Sequence, residues 1–178
     1  MSVDPRPGGH DPGAILAERA AALARRDRRA DASQAGDGVQ ALALIVRGEH
    51  YAIAVKDVLE TSALRSITPI PGIPAPWIGL VNLRGALRPV LDLRCHLGLG
   101  DHAPGTGGSL VVIGFEELVV ALLVESIAGA RRIERAELRS VPGGGASPWV
   151  IGTTADLCTL LDVQTLLADP AIVVDVAA

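Results

Sequence analysis

The chain repeats itself, and the repeat limits the folds open to it. LALIVRGEHYAIAVKDV at 42–58 is answered by LVVIGFEELVVALLVESI at 110–127, and LRSITPIPG at 64–72 by LRSVPG at 138–143. WIG at 77–79 is answered by WVIG at 149–152, and PVLD at 89–92 by TLLD at 159–162. The matches keep their order and their offset stays near 70 residues, as two copies of one unit would. Within each copy the texture is of short β-type runs: ALALIV, YAIAV, WIGLVNL and ALRPVLDL, then SLVVIGF, LVVALLV, PWVIGTT and LCTLLDV, separated by Gly, Pro and charged turns. The chain is therefore expected to be all-β. A copy of this length is enough for one small five-stranded barrel, so two such barrels packed together are predicted. Helix is minor, with short turns expected at 93–97, 135–138 and 163–168, the last stopped by Asp169 and Pro170.

Residues 1–38 stand outside the repeat as an arm. MSVDPRPGGHDPG is rich in Pro and Gly, an Ala/Arg stretch follows, and the two together carry six Arg and six acidic residues, so the arm's charges cancel. Asp11 before Pro12 is a good helix start, because the carboxylate accepts an orphan N–H and Pro fits the first helical position. Ile15, Leu16, Ala20, Leu23 and Ala24 then share one face of an amphipathic helix near 12–30. So short a stripe is marginal alone in water and needs a surface, on its own domain or on an extra partner. A disordered arm is the third alternative. Residues 39–170 form the domain and 171–178 a tail.

Composition removes several function classes. The net charge is −4, and the only aromatic side chains of the Phe, Tyr and Trp kind are Tyr51, Trp77, Phe115 and Trp149, so nucleic acid is not an expected partner. No basic and apolar leader opens the sequence, and LVVALLV at 118–124, the longest apolar run, is far short of a membrane span. A cytoplasmic protein without direct membrane insertion is expected, and isolated Cys95 and Cys158 fit a reducing compartment.

Chemistry is sought and not found. His10, His50, His96 and His102 are scattered without metal-ligand spacing, and adjacent Cys95 and His96 diverge on a strand or helix. GTGGS at 105–109 and GGG at 143–145 are not followed by Lys-Ser/Thr, and Lys56 is the only lysine, so no phosphate-binding loop is present. No catalytic residues, cofactor or metal are expected, and the protein is not read as an enzyme. What remains is a polar set on an apolar scaffold: Glu60, and Asn82 with Arg84 at the turn of VNLRGAL. Asn82 is suited to bond nearby backbone, and Gly85 to take the positive φ of a tight hairpin. Arg84 is suited to pair with a carboxylate, either internally with Glu60 or on a partner.

At these residues the sequence resembles the CheW family of chemotaxis coupling proteins. ALALIV, YAI, VLE, PIPGIPAPWIG, GLVNLRG and PVLDLR follow the family's order, and ALLVESIAGARRI, LRSVPG and WVIGTTADLCTLLDV extend the likeness through the second half. The resemblance implies two SH3-like five-stranded barrels and a non-enzymatic adaptor joining the cytoplasmic tip of a chemoreceptor to the histidine kinase CheA. Carried over residue by residue, it implies a receptor-facing groove with its supports at Val58, Glu60, Gly79, Asn82, Arg84 and Gly85, with Val58 as an apolar anchor. Thr61 and Arg88 depart from the family's usual aliphatic residues, Glu125 from its Asp, and TTADLC at 153–158 lacks the usual glycine. The alternatives are an adaptor for a non-chemotactic receptor–kinase pathway and a small-molecule-binding β-barrel protein.

Overall fold

The computed structural model describes residues 37–100, 107–115, 117–140 and 147–172. The helix expected near 12–30, the rest of the arm and the tail beyond Ile172 lie outside the described residues. Among the described residues, ten strands make two five-stranded sheets. They are β1 (Gly38–Val46), β2 (Glu49–Ala54), β3 (Val58–Ala63), β4 (Trp77–Leu83), β5 (Ala86–Asp92), β6 (Ser109–Phe115), β7 (Leu118–Val124), β8 (Ser126–Glu134), β9 (Val150–Thr153) and β10 (Cys158–Leu161). One sheet has the order β8-β1-β2-β10-β9 and the other β3-β6-β7-β5-β4. Pairing is antiparallel except between β2 and β10 and between β5 and β7.

The repeat is visible in this order. Replacing each of β1 to β5 by the strand five places later, and the reverse, turns one sheet's order into the other's. The two copies are interleaved, which corrects the expectation of one copy per barrel. The chain changes sheet at a 3-10 turn, Val55–Asp57, and again at Glu125, so the third strand of each copy pairs with the first strand of the other. β3 and β8 therefore find partners that their own copies do not supply.

Packing explains the apolar runs. On β6 and β7, Val111, Ile113, Val120 and Leu122 enter a core shared with Leu44, Val46 and Ile53 of the other sheet. The alternate residues Leu110, Val112, Ala121 and Leu123 enter a second cluster with Val81 and Val90. Both faces of these strands are buried, so they read as unbroken apolar sequence. The first sheet has its own small cluster in Ala41, Ala52, Ile133, Cys158 and Leu160.

The three short helical turns are where the sequence places them: α1 (Leu93–His96), a 3-10 turn (Arg135–Glu137) and α2 (Val163–Leu167). The Asp that closes each PVLD/TLLD repeat is an N-cap. Asp92 accepts from the N–H groups of Arg94 and Cys95, and Asp162 from that of Gln164. His96 on α1 has a side chain 2% exposed, stacked on Trp149 with centroids 4.6 Å apart and lying 3.5 Å from Asp169. Burial lowers its pKa, against a smaller opposing pull from Asp169.

Candidate functional site

The corner that the sequence singles out is a two-residue hairpin. Leu83 faces Ala86, and between them Arg84 and Gly85 take φ values of 52° and 87°. Positive φ at both central positions is the turn whose twist matches that of paired strands. Gly85 does this without cost, whereas an L side chain at Arg84 is held in a disfavoured region. Asn82 Oδ1 accepts the Gly85 N–H at 2.9 Å and fixes the turn from inside the strand.

Glu60 reaches this corner from the far margin of the same sheet. β3 and β4 are the two edges, yet Glu60 Oε1 lies 2.9 Å from Arg84 Nε, so the sheet curls until its margins meet. The linking segment completes the approach, because Thr68 and Leu80 exchange two backbone hydrogen bonds of 2.8 Å. Gly79 makes that approach feasible: its φ is 141°, and a Cβ there would overlap the Thr68 carbonyl oxygen.

Between the margins lies a groove of about 440 Å³, with Glu60, Ser62, Arg65, Ser66, Thr68, Asn82, Arg84 and Leu87 in its walls. The Arg84 side chain is 84% exposed and the Glu60 side chain 27% exposed. The pair is thus a surface ion pair. Of the six residues taken from the sequence, Glu60, Asn82 and Arg84 line the groove, while Gly79 and Gly85 shape its backbone. Val58 is half-buried against the shared core. A bulge between Val58 and Glu60 turns Leu59 outward, 60% exposed.

Leu87 and Arg65 are among the lining residues that escaped sequence reasoning. Leu87 is 66% exposed and faces Asn82 across the hairpin. The two-residue turn alone sets that register, so the pairing was available once the turn was recognised. Arg65 sits in the link after β3, within LRSITPIPG, which the sequence marks as part of the repeat but not as part of a site.

The interleaved repeat builds a second corner with its charges exchanged. Here the edge strand β8 supplies the cation and the β9–β10 turn the anion: Arg131 Nη1 lies 2.7 Å and Nη2 3.4 Å from the two carboxylate oxygens of Asp156. Thr154 Oγ1 donates to Asp156 Oδ1 at 2.5 Å. The bond from Arg131, and then that from Thr154, hold the Asp156 carboxyl well below the usual range. Arg139 and Thr153 form the bridge matching Thr68 and Leu80, with Gly152 close to the Arg139 carbonyl. The groove beside this pair is about 350 Å³.

Among the described residues no group of three or more His, Cys, Asp and Glu side chains could hold a metal, and no helix is long and apolar enough to cross a membrane. The family model described as CheW-like domain matches residues 40–171. A chemotaxis protein CheW of Bacillus subtilis is 28% identical over 107 residues, covering 60% of this chain and 69% of that one. The protein FrzA of Myxococcus xanthus is 30% identical over 117 residues, covering 66% and 73%. The crystal structure of scaffolding protein TtCheW from Thermoanaerobacter tengcongensis superposes with a TM-score of 0.64 at 22% identity, covering 75% of this chain and 94% of that one.

Proposed function

The chain belongs to the CheW-like domain family, and from that membership we propose that it is a non-enzymatic cytoplasmic adaptor joining a chemoreceptor tip to a CheA-type histidine kinase. In this reading the sheets are two SH3-like barrels, each closed at its ion-paired corner. The groove between β3 and the β4–β5 hairpin takes the receptor, with Glu60, Asn82 and Arg84 in contact and Gly79 and Gly85 supporting. Val58 acts from beneath, through the core. A receptor tip is a helical hairpin, and a helix docks in a groove through apolar anchors with a few polar contacts for register.

The observation that carries the reading is the state of Arg84. Its guanidinium lies 2.9 Å from Glu60 at Nε, and its side chain is 84% exposed at the groove. Arg131 of the second corner, by contrast, is 33% exposed and engages both oxygens of Asp156.

The test is a binding assay of the full chain against a purified CheA-type kinase and a receptor cytoplasmic fragment containing the tip. Both are expected to bind, and together. Failure to bind either, with a small molecule raising the melting temperature instead, would favour a ligand-binding barrel.

A further inference from the structure

Groove polarity at the first corner depends on Arg65, in the LRSITPIPG segment of the repeat. The Glu60 carboxylate is already engaged by Arg84. Arg65, exposed on the opposite wall, makes no ion pair or hydrogen bond with any described residue. The groove therefore holds a surplus positive charge on a chain whose net charge is −4. Beside it stands Leu87, an apolar side chain 66% exposed.

Resting on the adaptor reading, we propose that this groove selects a helix carrying an acidic residue beside an apolar one, with Arg65 as the charge-reading residue and Leu87 as the apolar anchor. The two functions fall to different elements. Leu87 is on β5, fixed in register by the hairpin, whereas Arg65 is on the link between β3 and β4. Apolar contact supplies area and the lone guanidinium supplies orientation, since like charge in the wrong place is costly at an interface. The partner face is then acidic where it meets Arg65 and Arg84, and apolar where it meets Leu87.

The experiment measures affinity of the full chain for a receptor cytoplasmic fragment containing the tip, in low and high salt, with thermal unfolding of every variant. Arg65→Glu is expected to weaken binding by about 10-fold or more at low salt, and Arg65→Lys by much less. Raising salt from about 0.05 to 0.5 M should weaken the wild type and narrow its gap from Arg65→Glu, because exposed charges are screened. Leu87→Ala should lower affinity at both salt concentrations, and all three variants should unfold near the wild-type temperature. Wild-type binding that Arg65→Glu leaves unchanged would overturn the inference and leave the adaptor reading standing. No binding by the wild type would overturn the adaptor reading, and the inference with it.

Discussion

Arg84→Ala separates a recognition role from a structural one, because the structure fixes what each would cost. The Glu60–Arg84 contact is a single 2.9 Å approach with the Arg84 side chain 84% exposed. Pairs of this kind contribute about 0–1 kcal/mol to stability. Ala retains the disfavoured backbone of Arg84, φ 52°, so no strain is relieved to mask the loss. Glu60, 27% exposed, keeps access to water and is not stranded as an uncompensated buried charge. The stability change should stay within about 1 kcal/mol, a melting shift of roughly 2–6 °C for a domain of this size. Receptor affinity should fall by about 1–3 kcal/mol, or roughly 5- to 150-fold, the scale of a substantial interface contact. Kinase affinity should hold if that partner uses another surface. Thermal unfolding and direct binding to both partners measure these quantities. A loss of about 3 kcal/mol or more in stability would refute the surface-pair reasoning, and unchanged receptor affinity would remove Arg84 from the interface.

Gly79→Ala should destabilise by about 2 kcal/mol or more, read by urea denaturation, because φ 141° disfavours a side chain and the added Cβ would overlap the Thr68 oxygen. Leu157→Gly should stabilise by about 0.5–1 kcal/mol in the same assay, since Leu157 is exposed at φ 61° and Gly removes the steric cost at some expense in chain entropy. For His96, whose folded pKa lies below the ordinary 6.5, the unfolded chain binds the proton first on acidification. Stability should therefore fall as pH drops from about 7 through 6.5 toward the lowered folded value, and His96→Phe should flatten that slope; an unchanged slope would contradict the burial argument.

Burial on both faces made the first two strands of each copy legible, because β6 and β7, like β1 and β2, are apolar enough to read as runs. The third strands were not legible as separate elements. β3, VLETSA, alternates between half-buried and exposed residues, and β8, SIAGARRIE, is mostly small or charged. Both lie at sheet margins, and few of their side chains are buried. Their exchange between copies is a long-range pairing that no local pattern encodes. The opposite holds for Asn82 and Gly85, whose turn chemistry is local. Arg65 fell between the two cases, since only the curl that brings β3 toward the β4–β5 hairpin sets it on the groove wall.

The two corners give the last prediction its basis. In the first, the edge strand carries the acid and the turn the base; in the second, Arg131 is on the edge strand and Asp156 in the turn. Both corners keep a backbone bridge from the preceding link and a glycine beneath it. One scaffold thus carries a pair of each polarity, and the sign of the pair in the first corner should not be required by folding. Exchanging it, as Glu60→Arg with Arg84→Asp, should leave stability within about 1 kcal/mol of the wild type, because the pair is kept, both side chains retain access to water and Asp tolerates positive φ better than Arg. The same exchange sets a guanidinium in the half-buried wall and a carboxylate at the outer tip, where a partner's acid would meet it. Like charge there should lower receptor affinity beyond the loss from Arg84→Ala alone. An exchanged variant that folds and binds as the wild type would show that the corner's charge does not read the partner. One that fails to fold, while Arg84→Ala folds, would show that the two corners are not equivalent scaffolds.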